Sequence, residues 1–348
     1  MKLADFDYSL PEELIAQEPA SARDQSRLML IDRQSGSIRH GIFNTLPEYL
    51  QPGDALVVNN SRVIPARLTG KKTTGGRVEI LLLSCQNQGT SRQQSWEALL
   101  RPARSIRPGM VLRFAEGSEA CIVSRISEKK WLLDFTLSLP FAEFLEQQGA
   151  SPLPPYIKRR GLETGRQALT DRERYQTIYA QIPGSVAAPT AGLHFSPEVL
   201  TALEGKGIPV ARITLHVGYG TFSPVAEEDV EDHCMDEEQY EISAVAAAII
   251  NHAERVVAVG TTSARTLEAA TDEQGMVQAG RAATDIFIYP GYRFQRVNAL
   301  LTNFHLPKST LYLLVCTFAG RELIREAYRQ AIAERYRFYS YGDCMLIL

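Results

Sequence analysis

Four stretches of the chain carry more small and polar residues than core packing needs. The first is Gly184-Ser185-Val186-Ala187-Ala188-Pro189-Thr190-Ala191-Gly192-Leu193-His194-Phe195, poor in bulky side chains and ending on a histidine. The second, Leu215-His216-Val217-Gly218-Tyr219-Gly220-Thr221-Phe222, is a strand-like run entering a GxGT turn. The third, Val259-Gly260-Thr261-Thr262-Ser263-Ala264-Arg265, reads as a strand-to-helix turn whose amides and hydroxyls suit an anion or carboxylate. The fourth is Thr302-Asn303-Phe304-His305-Leu306-Pro307-Lys308-Ser309-Thr310. Singly each is weak: a lone histidine at a strand edge is more often structural, and Thr-Thr-Ser before a helix is usually a cap. Together they place three of the six histidines, His194, His216 and His305, in Gly/Thr/Ser-rich surroundings. That constellation suits proton transfer near neutral pH. The spacing excludes a GxSxG elbow, a GxxxxGK[ST] loop, an HExxH pair and a Rossmann GxGxxG.

The elements that must position these residues fall into two textures. From about Val63 to Phe135 short β-type runs recur: Val63–Leu68, Val78–Leu83, Trp96–Arg101, Met110–Phe114, Ala120–Ile126 and Lys130–Phe135, separated by Gly- or Ser-containing turns. Six such runs without a helical period predict a small β-barrel or sandwich. The proline-dense Ser151–Pro155 marks its far boundary, after a helix-like Phe141–Gln148. Outside this block strands alternate with helices: a short helix over Pro11–Gln17, strands at Ser26–Arg33, Ala55–Asn59, Pro209–Val217 and Arg255–Gly260, an Ala-rich helix over Ala244–Ala253, and helical spacing over Gly320–Arg335. The pattern predicts a mixed α/β fold: a discontinuous α/β domain, residues 1–62 plus 152–348, interrupted by a β-barrel domain at 63–151.

The 348 residues carry 37 Lys+Arg and 40 Asp+Glu, a net charge of −3 that argues against nucleic acid when read as a total. The distribution reverses the inference. Residues 62–113 hold ten Lys/Arg and two acids, a local +8, and residues 226–241 hold nine acids and no Lys/Arg, a local −9. The basic block could follow a phosphate backbone, each neutralised phosphate releasing a counterion. The bland alternative is a solvated basic face. The acidic run reads as a solvated loop rather than a metal site.

With 45% hydrophobic and 22% charged residues, the composition is that of a globular protein. Acids enter early at the N-terminus, which has no apolar run long enough for a signal peptide. No window reaches the roughly 20 apolar residues of a membrane helix. Five scattered cysteines without a CxxC pair argue against disulfides and a structural zinc site, so a reducing cytoplasm is the expected compartment.

At this point the motifs match a known family from end to end. The chain resembles the S-adenosylmethionine:tRNA ribosyltransferase-isomerases of queuosine biosynthesis. The resemblance is carried by Asp5-Phe6-Asp7-Tyr8, Arg23-Asp24 with Ser26-Arg27-Leu28, and Asn59-Asn60-Ser61-Arg62-Val63-Ile64-Pro65-Ala66-Arg67-Leu68. It continues through Tyr175-Gln176-Thr177, GSVAAPTAGLHF at 184–195, LHVGYGTF at 215–222, VGTTSARTLE at 259–268, TNFHLPKSTL at 302–311 and Tyr336–Asp343. Three positions depart from the family pattern: Asp236 stands where histidine is usual, Asn298 where aspartate is usual, and Cys344 where a small residue is usual.

The resemblance implies transfer and isomerisation of the ribosyl unit of S-adenosylmethionine onto 7-aminomethyl-7-deazaguanine at the wobble position of a GUN-anticodon tRNA, giving epoxyqueuosine, adenine and methionine. S-adenosylmethionine is then a consumed substrate, and no metal or other cofactor is implied. Positive sulfur acidifies the adjacent ribose carbon, so a base must remove a proton there, and departing adenine needs an acid. His194 and His216 are assigned this work, with His305 a third candidate. Arg265 with Thr261 and Thr262 would hold the methionine carboxylate. Asp24, Arg27, Asn60, Thr190, Gly192, Asp285, Tyr341 and Asp343 are placed in the substrate pocket. Arg62, Arg67, Lys71, Lys72, Arg101, Arg104, Lys158, Arg159 and Arg160 would grip the anticodon arm. A monomer without membrane contact is expected. The rival from another class is a non-catalytic RNA-binding protein. A methyltransferase is the third reading, disfavoured by the missing glycine-rich nucleotide signature.

Overall fold

The computed structural model describes residues 1–159, 166–218, 225 and 227–348. In chain order its strands are β1 (Arg27–Ile31), β2 (Ile38–Ile42), β3 (Asp54–Asn59), β4 (Ser61–Val63), β5 (Arg67–Lys72), β6 (Arg77–Thr90), β7 (Gln93–Arg101), β8 (Val111–Arg113), β9 (Glu119–Arg125) and β10 (Lys130–Thr136). Helices α1 (Phe141–Gln148) and α2 (Arg166–Arg174) follow, then β11 (Ile182–Ser185), α3 (Pro197–Gly205), β12 (Val210–Leu215), β13 (Glu238–Ile242), α4 (Ala244–His252) and β14 (Arg255–Val259). The chain closes with α5 (Thr261–Ala270), β15 (Gly280–Thr284), β16 (Ala299–Asn303), α6 (Thr310–Ala319), α7 (Arg321–Ala333) and β17 (Cys344–Ile347).

Among the described residues nine strands form the main sheet in the order β15-β13-β12-β3-β14-β16-β17-β1-β2. Its centre, β12-β3-β14-β16, is parallel. Parallel strands are covered on both faces, which is why Ala55-Leu56-Val57-Val58 and Val256-Val257-Ala258-Val259 are unbroken apolar runs, all buried. Alternate residues feed two cores. Val57, Val256, Ala258 and Leu300 pack against α4, α5, α6 and α7. Leu56, Val58, Val257 and Leu301 pack against α3 and the turn around Phe43 and Leu46. Helices α3, α4 and α6 are capped by Ser196, Ser243 and Ser309, whose hydroxyls accept from backbone N–H groups three residues on.

Strands β5 to β10 close into a barrel in the order β10-β7-β6-β5-β8-β9. Its strands alternate, as a half-buried surface demands: Trp96, Ala98 and Leu100 point inward on β7, and Trp131, Leu133 and Phe135 on β10. Closure removes exposed strand edges, and α1 adds Phe141, Phe144 and Leu145 to the barrel core. The expected mixed α/β class with a β-barrel is the observed one.

Local differences have physical reasons. The expected strand Val63–Leu68 splits at Pro65, which has no N–H for a ladder, so β4 pairs with β11 and the barrel begins at Arg67. The expected helix over Pro11–Gln17 is a single 3-10 turn at Glu12–Leu14. The acidic run is more than a solvated loop. It contributes β13, and several of its charges are tied down: Glu231 by the Met1 amino group, Asp229 by Lys2, Asp236 by Lys130 of the barrel and Glu241 by Arg281, while Glu227 hydrogen-bonds His233. Glu238 is buried and pairs with Arg265.

Candidate active site

Strand direction gathers the chemistry at one edge of the main sheet. At the carboxyl ends of its parallel strands stand His216 after β12, Asn60 after β3, Thr261 and Thr262 after β14, and His305 after β16. Strand β17 runs antiparallel to β16, with Cys344 opposite Asn303, so Tyr341 and Asp343 lie at the same edge. Strand β1 runs parallel to β17 with Leu28 opposite Cys344, which brings Asp24 and Arg27 there. The antiparallel β13 and β15 add Glu238, opposite Thr284, and the following Asp285, which is exposed. Ligands of open α/β sheets bind in the crevice at this edge.

The barrel is inserted beyond β3 and the short β4 and leaves a cleft of about 720 Å³ against the edge. Leu83, Cys85, Trp96 and Phe141 form the barrel wall, with the last two rings stacked at 5.2 Å. Gly184, His216, Gly218, His233 and Glu238 form the facing wall. A second, smaller cavity is lined by Tyr156, Thr190, Asn303, His305, Tyr339 and Ser340. The structure therefore separates the three histidines. His216 lines the large cleft, His305 the small cavity, and His194 neither of them.

Burial depresses all three imidazoles below the ordinary 6.5: His194 to about 4, His305 to about 3, and His216 in the same direction. Each is neutral at pH 7. His194 Nδ1 lies 2.7 Å from Ser26 Oγ, and Asn303 beside the ring works against the burial. His305 Nε2 lies 2.8 Å from Thr302 Oγ1, while its backbone N–H donates to Tyr328 Oη and its carbonyl accepts from Tyr8. His216 Nδ1 has no partner among the described residues, and its ring packs on Gly184.

The two fully buried rings carry a stability prediction. Between pH 6.5 and about 4 the unfolded chain binds protons at His194 and His305 that the folded chain refuses, so stability is full above 6.5 and falls as pH drops. Each ring contributes on the order of 3 kcal/mol to that loss. Urea midpoints at pH 7 and pH 4.5 should show it, and His305→Asn should flatten the slope. An unchanged slope would count against the neutral buried ring.

Other expected site residues are committed to structure. Asp343 accepts from the backbone N–H of Arg27 at 2.9 Å and of Arg337 at 2.8 Å, and pairs with the Arg27 side chain. The Arg27 guanidinium lies 4.0 Å over Tyr336 and donates to the Glu334 carbonyl. This pair braces the chain end against β1 and is already saturated by protein partners. Asp24 accepts from Ser196 Oγ at 2.7 Å, and Asn60 from Thr214 Oγ1 at 2.7 Å. Tyr341 donates to Asp171, which also receives the fork of Arg159 at 2.9 and 3.0 Å. Arg159, expected to contact tRNA, is instead a buried ion-pair residue with a side chain 7% exposed. Gly192 is required where it stands: a Cβ there would lie 2.1 Å from Tyr179 Oη.

Of the expected tRNA cations, Arg62, Lys71, Arg101 and Arg104 are exposed and Lys72 half-buried. Arg67 pairs with Glu79 at 2.7 Å and Lys158 with Glu12. Arg160 and the Tyr219–Phe222 part of the second motif lie outside the described residues. Residue-by-residue reading passed over Glu238, His233, Trp96, Tyr156 and Tyr339. His233 had one signal, a lone imidazole inside nine acids. The others had none, because what marks them is the neighbour across the cavity.

A parallel-centred sheet with a polar crevice at its carboxyl edge and an inserted barrel beside it defines an α/β enzyme. The chain belongs to the family described as queuosine biosynthesis protein, whose profile matches residues 3–347. A protein of Syntrophus aciditrophicus named S-adenosylmethionine:tRNA ribosyltransferase-isomerase is 53% identical, with all of both chains covered. Its namesake from Pelobacter propionicus is 52% identical over the full length of both. The crystal structure of S-adenosylmethionine tRNA ribosyltransferase from Thermotoga maritima is similar with a TM-score of 0.53 and 35% identity, covering 99% of this chain and 100% of that one.

Proposed function

We propose that the protein moves the ribosyl unit of S-adenosylmethionine onto 7-aminomethyl-7-deazaguanine at the wobble position of a GUN-anticodon tRNA and isomerises it to the epoxycyclopentanediol of epoxyqueuosine, releasing adenine and methionine. The observation that carries this reading is the cleft itself. It lies between a basic barrel and a sheet edge, with an aromatic wall on one side and a neutral imidazole on the other. His216 accepts the proton from the sulfur-activated ribose carbon, and the imidazolium so formed can protonate departing adenine. The division of labour follows a catalytic unit of residues 1–62 plus 152–348 and an inserted barrel unit of residues 63–151. Work as a monomer in the cytoplasm, with no cofactor besides the consumed donor, belongs to the same reading.

The test incubates the protein with S-adenosylmethionine and tRNA carrying the deazaguanine. Adenine release with a ribosyl-sized mass gain on the tRNA is expected. A methyl-sized gain, or bound tRNA without either product, would sink the reading. For the barrel, replacing Lys71, Arg101 and Arg104 together by Gln should reduce the slope of log K against log salt by about 2. An unchanged slope would move the tRNA footprint elsewhere.

A further inference from the structure

Arg265 and Glu238 form an ion pair whose side chains are 3% and 4% exposed. A pair taken this far from water repays its desolvation only when its remaining donors and acceptors are met. Here they are not. Arg265 Nε and Nη1 have no hydrogen-bond partner among the described residues, nor do the hydroxyls of Thr262 and Ser263 in the same turn of α5, both buried. Folded proteins satisfy nearly all such groups, and each one left unmet is costly. Thr262 and Arg265 stand three residues apart on one face of the ten-residue helix, so three of these unmet groups, at the carboxyl edge of the sheet and the helix start, describe a receptor for an anion. The partner carboxylate adds a second requirement. Glu238 lines the large cleft and accepts from the Gly218 N–H at 3.1 Å.

We propose that Arg265 and Glu238 together receive a zwitterionic amino-acid head group, Glu238 binding the α-ammonium and Arg265, with the Thr262 hydroxyl, binding the α-carboxylate. A simple anion would compete with Glu238 for the guanidinium, and a simple cation would compete with Arg265 for the carboxylate. A zwitterion opposes each charge with its counterpart and buries no net charge, so the existing pair stays intact. The inference rests on S-adenosylmethionine as the donor, whose methionine end is such a zwitterion, and it adds Glu238 as the residue that reads the amine.

Calorimetry on the full chain should compare S-adenosylmethionine with two analogues, one lacking the α-carboxylate and one lacking the α-amine. The wild type should bind each analogue at least about tenfold more weakly, the worth of a charge-assisted hydrogen bond. Glu238→Gln should lose its selectivity against the deaminated analogue and keep it against the decarboxylated one. Glu238→Asp, which draws the carboxylate back by one methylene, serves if the glutamine variant does not fold, and its selectivity against the deaminated analogue should shrink while that against the decarboxylated one holds. Wild-type affinities within about threefold of one another, a difference too small for such a bond, would overturn the proposal. So would unchanged selectivity in the Glu238 variant. Adenine release is assayed alongside. Turnover with absent selectivity removes the head-group assignment alone, while no donor binding and no adenine removes the functional reading with it.

Discussion

His216→Ala is expected to lower turnover by about 10²–10⁴-fold, the usual worth of a positioned base, while tRNA affinity holds within about threefold. The expectation comes from placement. Of the three histidines in the small-residue motifs, His216 is the one on the wall of the large cleft, and its Nδ1 has no protein partner among the described residues. Burial holds the ring below the ordinary histidine pKa, so it is the free base at neutral pH. Turnover should therefore rise with pH through a value below 6.5 and then level off. The ring is held in register by Gly184, whose φ of +146° and absent Cβ leave it room. A methyl group there would sit 2.7 Å from the imidazole. Normal turnover in His216→Ala, or tRNA affinity falling in step with it, would remove His216 from the chemistry.

Glu268→Ala is expected to destabilise the fold by about 3–5 kcal/mol. Glu268 is 4% exposed and sits on α5, where its carboxylate accepts from the backbone N–H groups of Gln295, Arg296 and Val297 at 2.7, 3.0 and 2.9 Å and from Tyr292 Oη at 3.0 Å. Alanine would take the acceptor from three backbone donors at once, the Val297 N–H among them buried. The same contacts hold α5, with Thr262 and Arg265, against the segment leading into β16. Donor affinity should therefore fall along with the urea midpoint. A loss below about 1 kcal/mol, the size of an ordinary surface change, would show that the segment finds other partners.

Much of this was legible in residue order. The barrel was visible because its strands alternate over short spans, and the α/β part because its central strands are unbroken apolar runs. The site motifs were visible as small and polar residues where packing asks for bulk. What was hidden depends on partners far along the chain. Arg159 reads as one of three adjacent cations, yet Asp171 buries it. Arg27 and Asp343 each sit in a suggestive motif, yet they are spent on one another across 316 residues. Glu238 reads as one acid among nine, and only its burial beside Arg265 separates it from the rest.

The sequence alone determined the two textures of the chain, the charge contrast between barrel and acidic run, the family, and the motifs that hold the reacting groups. These are local properties, set by periodicity, composition and spacing within a few residues. Only the tertiary structure decided which histidine lines the cleft, which cations remain exposed, and which acid stands beside the buried arginine. A side chain's charge state and availability depend on what surrounds it in space, and strand order rather than residue order sets those surroundings.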